Sequence, residues 1–443
     1  MSEKKVKPSY VPLAILAAVT VVALFMPGIP TVIQTEGINS GDTAWMLVAS
    51  ALVLIMTPGL AYFYGGMVNA KNVISTMLQS FIAMGVISVV WVTVGYSIAF
   101  GESVGGFFGN PTTHFMFKGV LEAAPWGTIP AVVFAFFQLK FAVITPALVT
   151  GSMAERINFK SYVVFMILFS IFIYAPLAHM TWASEGFLFK MGVLDFAGGT
   201  VVHMSAGWAA LAAAIYLKRR RSHESGSFLP PANIPYVLLG TGLLWFGWFG
   251  FNAGSALSAG ALAASAFATT NTAAGAAGLA WVLFDAARGK KVSALGFCIG
   301  VVVGLVAITP AAGFVSIPHS IVIGVVASLI SNYLAHYRTK TALDDTLDVF
   351  PCHGVGGMVG MVLTGVFASS AINSAVAEQG LFFGETSLFL KHLLALVLVS
   401  AFAFIMSFVV LKITDIIVPL RVSEEDEALG LDVSQHDEAL LEA

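Results

Sequence analysis

Long apolar runs alternate with short polar connections along this chain, and the runs match the thickness of a bilayer. A helix needs about 20 mainly apolar residues to cross the hydrocarbon core. On that measure the spacing predicts eleven helices, near 42–66, 73–99, 130–153, 161–180, 195–217, 235–255, 262–284, 293–311, 318–338, 350–369 and 389–415. Between them lie segments rich in Gly, Pro, Ser and charge, such as "GESVGGFFGNPTTHF" and "KRRRSHESGSFLPP". A shorter apolar stretch, "VPLAILAAVTVVALFM" at 11–26, follows Lys4, Lys5 and Lys7. Residues 1–40 therefore suit a signal peptide or a retained signal anchor. The "PGIPT" that follows is a poor cleavage site, and both readings stand.

Composition closes most other classes. Hydrophobic residues make up 58% of the chain and charged residues 10%, where a soluble domain carries about 25% charged residues. A net charge of -3 gives no basic footprint for nucleic acid. The two cysteines, Cys298 and Cys352, both in apolar surroundings, make neither a disulfide framework nor a C-x-x-C site. The chain reads as an all-α, polytopic membrane protein. Its cations set an orientation. If the first span starts outside, one face receives Lys71, Arg156, Lys160, Lys218 to Arg221, Arg288, Lys290, Lys291, Arg338, Lys340, Lys412 and Arg421. The other face receives Lys118, Lys190 and Lys391. The positive-inside rule then puts the N-terminus outside and the C-terminus inside.

Short matches recur five spans apart. Thr145-Pro146-Ala147 returns as Thr309-Pro310-Ala311, "YFYGGMVNA" is echoed by "WFGFNAGSA", and "DFAGGTVVH" by "DVFPCHGVGG". Five helices is an odd number, so the second copy must run inverted relative to the first. The halves are 42–217 and 235–369, with 389–415 as an extra span in a membrane domain of 41–420. Inverted repeats place a substrate path at their interface. They also set His203 opposite His353, each in a span that offers an imidazole few partners. Asp195 is expected to cap the start of its span, with Asp348 as its counterpart at the other face.

Several long stretches resemble the Amt/MEP/Rh ammonium transporter family, most closely its bacterial Amt branch: "GDTAWMLVASALVLIMTPGLAYFYGG", "FQLKFAVITPALVTGSMAERINF", "DFAGGTVVHMSAGWAAL", "GWFGFNAGSAL" and "DDTLDVFPCHGVGGMVG". They run in family order from 41 to the tail motif "RVSEEDEALGLDVSQH". The resemblance implies a homotrimer in the plasma (inner) membrane, each subunit with its own pore for ammonium or ammonia, and possible use of methylammonium. It implies ammonium recruitment by Phe137, Phe141, Trp182 and Ser255, with Asp195 in support. It further implies a gate of Phe141 and Phe251, and a pore with His203 and His353 as proton relay. No metal or other cofactor is implied. The acidic tail, 421–443, would meet a PII-type regulatory protein. Two departures stand out. Lys140 precedes Phe141, where it would repel a cation if it faced the vestibule. Pro351-Cys352 stands before His353 where Gly-Val is usual.

Two other classes compete. An intramembrane metalloenzyme would need more than two distant histidines, and the chain has neither His-Glu-x-x-His nor G-x-S-x-G. An ammonium sensor with little flux, or a passive ammonia channel, would use the same residues and differ in measured transport.

Overall fold

The computed structural model describes residues 10–26, 32–226 and 230–440. The lysines at 4, 5 and 7 and the "PGIPT" segment lie outside the described residues. Helix α1 is Val11–Phe25, none of it buried. The main body contains α2 Ser40–Met67, α3 Ala70–Phe100, α4 Ala131–Met153, α5 Phe159–Lys190, α6 Gly199–Leu217, α7 Ile234–Gly254, α8 Ala261–Ala287, α9 Ala294–Ile308, α10 Ile317–Arg338, α11 Phe350–Phe367 and α12 Ser387–Ile417. Each expected span thus coincides with a helix. Among the described residues nine of them are long and apolar enough to cross a membrane, which makes the chain a multi-pass membrane protein. The other two are α8, long but less apolar, and α9, apolar but of only 15 residues.

The lower hydropathy of α8 has a structural reason. Its Thr269 and Thr270 are buried, and they bond the Ala312 carbonyl at 2.9 Å and the Asn252 amide at 2.9 Å. Polar side chains are tolerated inside a bundle when neighbours satisfy them. At the other extreme α12 shows mean hydropathy 2.8 with 28% of its window buried, so its apolar surface faces outward.

The order of packing follows the glycines at two crossings. Helix α7 lies along α2, where a Cβ on Gly240 would strike the backbone of Phe63. Helices α6 and α11 cross in backbone contact, since a Cβ on Gly207 would collide with Gly354. Each of these two helices begins with a widened π-turn, Gly199–Met204 and Phe350–Val355, and each turn carries a histidine. In the first, the His203 N–H reaches the Gly198 carbonyl five residues back, at 3.0 Å. Such turns shift the side chains that follow and recur at functional sites.

A two-stranded hairpin, Ser103–Val104 with Phe108–Gly109, decorates one face. The opposite face carries two short helices, α13 Glu424–Leu429 and α14 Leu431–His436. They dock on the first turns of α3: Leu431 donates to Asn72 Oδ1 at 2.8 Å, and Asp432 Oδ1 accepts from the Ser75 amide at 2.8 Å.

Candidate functional site

On the hairpin face a recess of about 120 Å³ opens between α4, α5 and α7, lined by Trp126, Phe134, Phe137, Gln138, Phe141, Trp182 and Ser255 among others. Four of the expected recruitment residues therefore meet here. Phe141 forms its floor, with Phe137 edge-on at 4.9 Å and Trp182 edge-on at 5.9 Å between centroids. The Ser255 hydroxyl donates to the Phe251 carbonyl at 2.9 Å, which leaves its oxygen lone pairs as acceptors. Beneath, Phe141 and Phe251 pack in a tilted pair at 4.2 Å and 37°, closing the recess. Both rings are buried.

Asp195 does not line this recess. Its carboxylate is spent on the start of α6: Oδ1 accepts from the Gly198 and Gly199 amides at 2.8 and 2.7 Å, and Oδ2 accepts from the Thr200 amide and hydroxyl at 2.7 and 2.5 Å. The Asp195 backbone carbonyl accepts from the Trp182 indole at 3.0 Å, so the cap also fixes that ring. Nor does Lys140 face the recess. Its ammonium lies 5.8 Å from the Phe136 ring centroid on the outer side of α4, which removes the expected repulsion of a cation.

Past the Phe pair, a cavity of about 10 Å³ is walled by Met56, Leu60, Ile144, Leu148, Val202, Leu244, Trp248 and Val302. Its polar groups belong to His203 and His353. The two imidazoles meet Nδ1 to Nδ1 at 3.3 Å, with rings 24° from parallel. His203 stacks on Trp248 at 5.4 Å and 18°, and the Trp248 indole donates to Thr309 Oγ1 at 2.9 Å. Thr309 in turn donates to the Leu305 carbonyl at 2.8 Å, as Thr145 does to Phe141 at 2.6 Å. Thr200, on the preceding turn, does not satisfy His203, since its hydroxyl donates to Asp195. His203 Nε2 has no partner among the described residues.

The line continues. A second cavity of about 10 Å³, lined by Tyr64, Met67, Leu347, Cys352 and His353, shares His353 and Val302 with the first. It leads to a polar cavity of about 180 Å³ at the face of α13 and α14, lined by Met67, Asn69, Glu155, Arg220, His223, Thr346 and Leu347. There Arg220 bridges Glu155 at 2.7 Å and Asp344 at 2.9 Å. Burial alone would raise the Asp344 carboxyl, but the hydrogen bonds from Arg220 and the charge of Arg156 hold it down, at about 2. Burial draws the Arg156 guanidinium down to about 10 despite Asp344.

One expectation is corrected. Asp348 is not the counterpart of Asp195, because it pairs with Arg338 at 2.5 Å. Asp345 is that counterpart: it precedes His353 by the same eight residues as Asp195 precedes His203. Its Oδ2 accepts from the amide five residues on, Phe350, at 2.7 Å, as Asp195 does from Thr200. The eight-residue offset was the available signal. Trp248 and the stacked pair Trp126 and Phe134, 4.0 Å apart, carried no sequence signal in a chain that is 12% aromatic.

A many-helix membrane protein with a closed aromatic mouth, a narrow apolar passage and a paired imidazole inside it belongs among the carriers and channels for small solutes. The particular kind follows from its relatives, and the chain belongs to the ammonium transporter family. The model of the Ammonium Transporter Family matches residues 44–440. An ammonium transporter of Aquifex aeolicus is 46% identical over 403 residues, 90% of this chain and 93% of that one. One of Bacillus subtilis is 44% identical, covering 90% and 98%. The crystal structure of Saccharomyces cerevisiae Mep2 superposes with a TM-score of 0.82 at 35% identity, over 88% of this chain and 89% of that chain. A structure named Sensor Amt Protein gives 0.82 at 28% identity, over 89% and 98%.

Proposed function

We propose that this ammonium transporter deprotonates its substrate at the aromatic mouth, passes ammonia through the apolar passage and moves the proton separately along His203 and His353, so that transport carries charge. The supporting observation is the Nδ1 contact of 3.3 Å between two imidazoles in an otherwise apolar cavity of about 10 Å³.

Diameter cannot separate ammonium from potassium, which is nearly the same size, so chemistry must. Aromatic faces attract either cation by about 0.5–2 kcal/mol per ring. Ammonium alone also donates a hydrogen bond, and the Ser255 oxygen is placed to receive one. Neither contribution offsets carrying a bare cation through hydrocarbon, which costs several kcal/mol. Ammonium escapes that cost by giving up a proton; potassium cannot.

The histidine pair handles both products. In a neutral pair one proton lies between the two Nδ1 atoms. The donating ring then has a bare Nε2, and its partner has Nε2–H. Ammonia finds an acceptor and a donor. An incoming proton binds the bare Nε2, the shared proton crosses between the Nδ1 atoms, and the partner's Nε2–H is released.

The same reading makes all eleven helices spans of an inverted five-plus-five repeat with a final span. The N-terminus is outside, and α13 and α14 lie in the cytoplasm of a plasma-membrane homotrimer. Phe137, Phe141, Trp182 and Ser255 recruit substrate, Phe141 and Phe251 gate, and Asp195 supports from behind Trp182. The docked tail is the surface for a PII-type partner. These parts rest on family membership and on the cation asymmetry of the loops. Transient current on an ammonium jump, recorded from proteoliposomes on a solid-supported membrane, tests the reading. Wild type gives a current that equal potassium does not, and His203→Ala abolishes it or makes it unselective. Rapid interior alkalinisation without current would instead show a passive ammonia channel.

A further inference from the structure

A proton that leaves His353 inward must be received before it reaches water. The second small cavity, below His353, is walled by Tyr64, Met67, Leu347 and Cys352. The Tyr64 hydroxyl is committed to the Leu148 carbonyl at 3.0 Å, which it serves as donor. Leu347 and Met67 separate this cavity from the polar one beyond, since both residues line the two. Asp345 sits two residues before Leu347 and is fully buried.

Comparison with its mate gives Asp345 its task. Asp195 has both oxygens saturated by four donors and can only cap. Asp345 caps with Oδ2 on the Phe350 amide, with the Val349 amide also acting on the carboxyl, and its Oδ1 makes no hydrogen bond of ordinary geometry among the described residues. Leaving a buried carboxylate oxygen unpaired is unfavourable by about 1–3 kcal/mol or more, and protonation is the ordinary relief. Arg338 from α10, Arg156 from the end of α4 and the amides of Phe350 and Val349 act on this carboxyl, and its own charge reaches Asp348 in its loop, Tyr64 on α2 and Cys352 on α11. Burial raises Asp345 above the usual carboxylate range, and Arg338 and Arg156 moderate that rise.

We propose that Asp345 is the inward proton acceptor of the transporter, taking the proton released from His353 and passing it to the polar cavity at Glu155, Arg220 and Thr346. In balance, an imidazole N–H bond breaks and a carboxyl O–H bond forms at Oδ1. That bond then breaks toward cytoplasmic water, where the proton rejoins ammonia as ammonium. A water in the lower cavity, which has room for about one, would carry the proton from His353 past Tyr64 and Cys352, which line that cavity and feel the Asp345 charge. The proposal rests on the electrogenic reading above.

Asp345→Asn in full-length protein tests it, with current, interior pH and nitrogen uptake measured in the same proteoliposomes. Asparagine keeps an oxygen for the Phe350 amide and removes the proton site. The expected result is a current lower by about 100-fold, nitrogen uptake kept, and interior alkalinisation where wild type shows little, because ammonia then enters without its proton. An unchanged current overturns the proposal, and so does a parallel loss of current and uptake, which would make Asp345 a cap alone. Wild-type uptake without current overturns both this and the electrogenic reading. If Asp345→Asn does not fold, Asp345→Glu decides: a shifted pH midpoint of the current supports the acceptor role, and an unmoved midpoint overturns it.

Discussion

Ser255 illustrates how little chemistry separates this mouth from an ordinary aromatic cluster. Its hydroxyl proton is held by the Phe251 carbonyl, so the oxygen faces the recess as an acceptor. Ser255→Ala is expected to weaken half-saturation of the ammonium current by about 2–10-fold, the worth of one hydrogen bond of 0.5–1.5 kcal/mol, while the maximal current stays near wild type. Concentration dependence of the transient current checks this. The histidines behave differently, because each depends on the other and on a neighbour that holds it. Trp248 lies flat against His203 and is itself pinned by Thr309. The pair thus has one geometry, with the free Nε2 of His203 left to the cavity.

At the scale of elements, the helices bring the histidines together by what they lack. Gly207 and Gly354 let α6 and α11 touch backbone to backbone. Gly207→Val would push the two helices apart and break the Nδ1 contact. Overpacking of this kind is unfavourable by about 1–3 kcal/mol. The expected outcome is a lower unfolding temperature in detergent together with loss of ammonium current, and Gly242→Ala, where a Cβ meets open space, serves as the control. The sequence carried the helices well, since a run of twenty apolar residues has few other uses. It marked the two histidines because they interrupt such runs at matching places. What it could not carry were contacts between distant helices. Asp345 was passed over for Asp348, which stands at the head of the more obvious motif but turns to Arg338. Whether Lys140 faces the vestibule depends on a helix face that the sequence does not show, and it points to Phe136.

Across the whole molecule, two faces of unlike chemistry are joined by an apolar neck. The aromatic mouth has no carboxylate in its lining, so on the proposed reading a cation held there stays briefly and leaves easily. The far cavity is ringed by charge, and its Arg156, Asp344, Arg220 and Glu155 cluster ties three loops together. Asp344 is depressed to about 2, so its contribution is fully present above the unfolded carboxylate value near 4. It is lost as pH falls through the folded value. Thermal stability in detergent should therefore be nearly flat from neutral pH to about 4 and fall below that. In Asp344→Asn the acid-dependent loss should shrink, from a lower starting stability, because Arg156 and Arg220 lose a buried partner.

On the proposed mechanism ammonia and its proton cross by separate means but in fixed proportion. The most direct measurement is the ratio of charge moved to nitrogen taken up, with current and isotopically labelled ammonium followed in the same proteoliposomes. One elementary charge is expected for each nitrogen in wild type. Nitrogen uptake with no accompanying charge would contradict it.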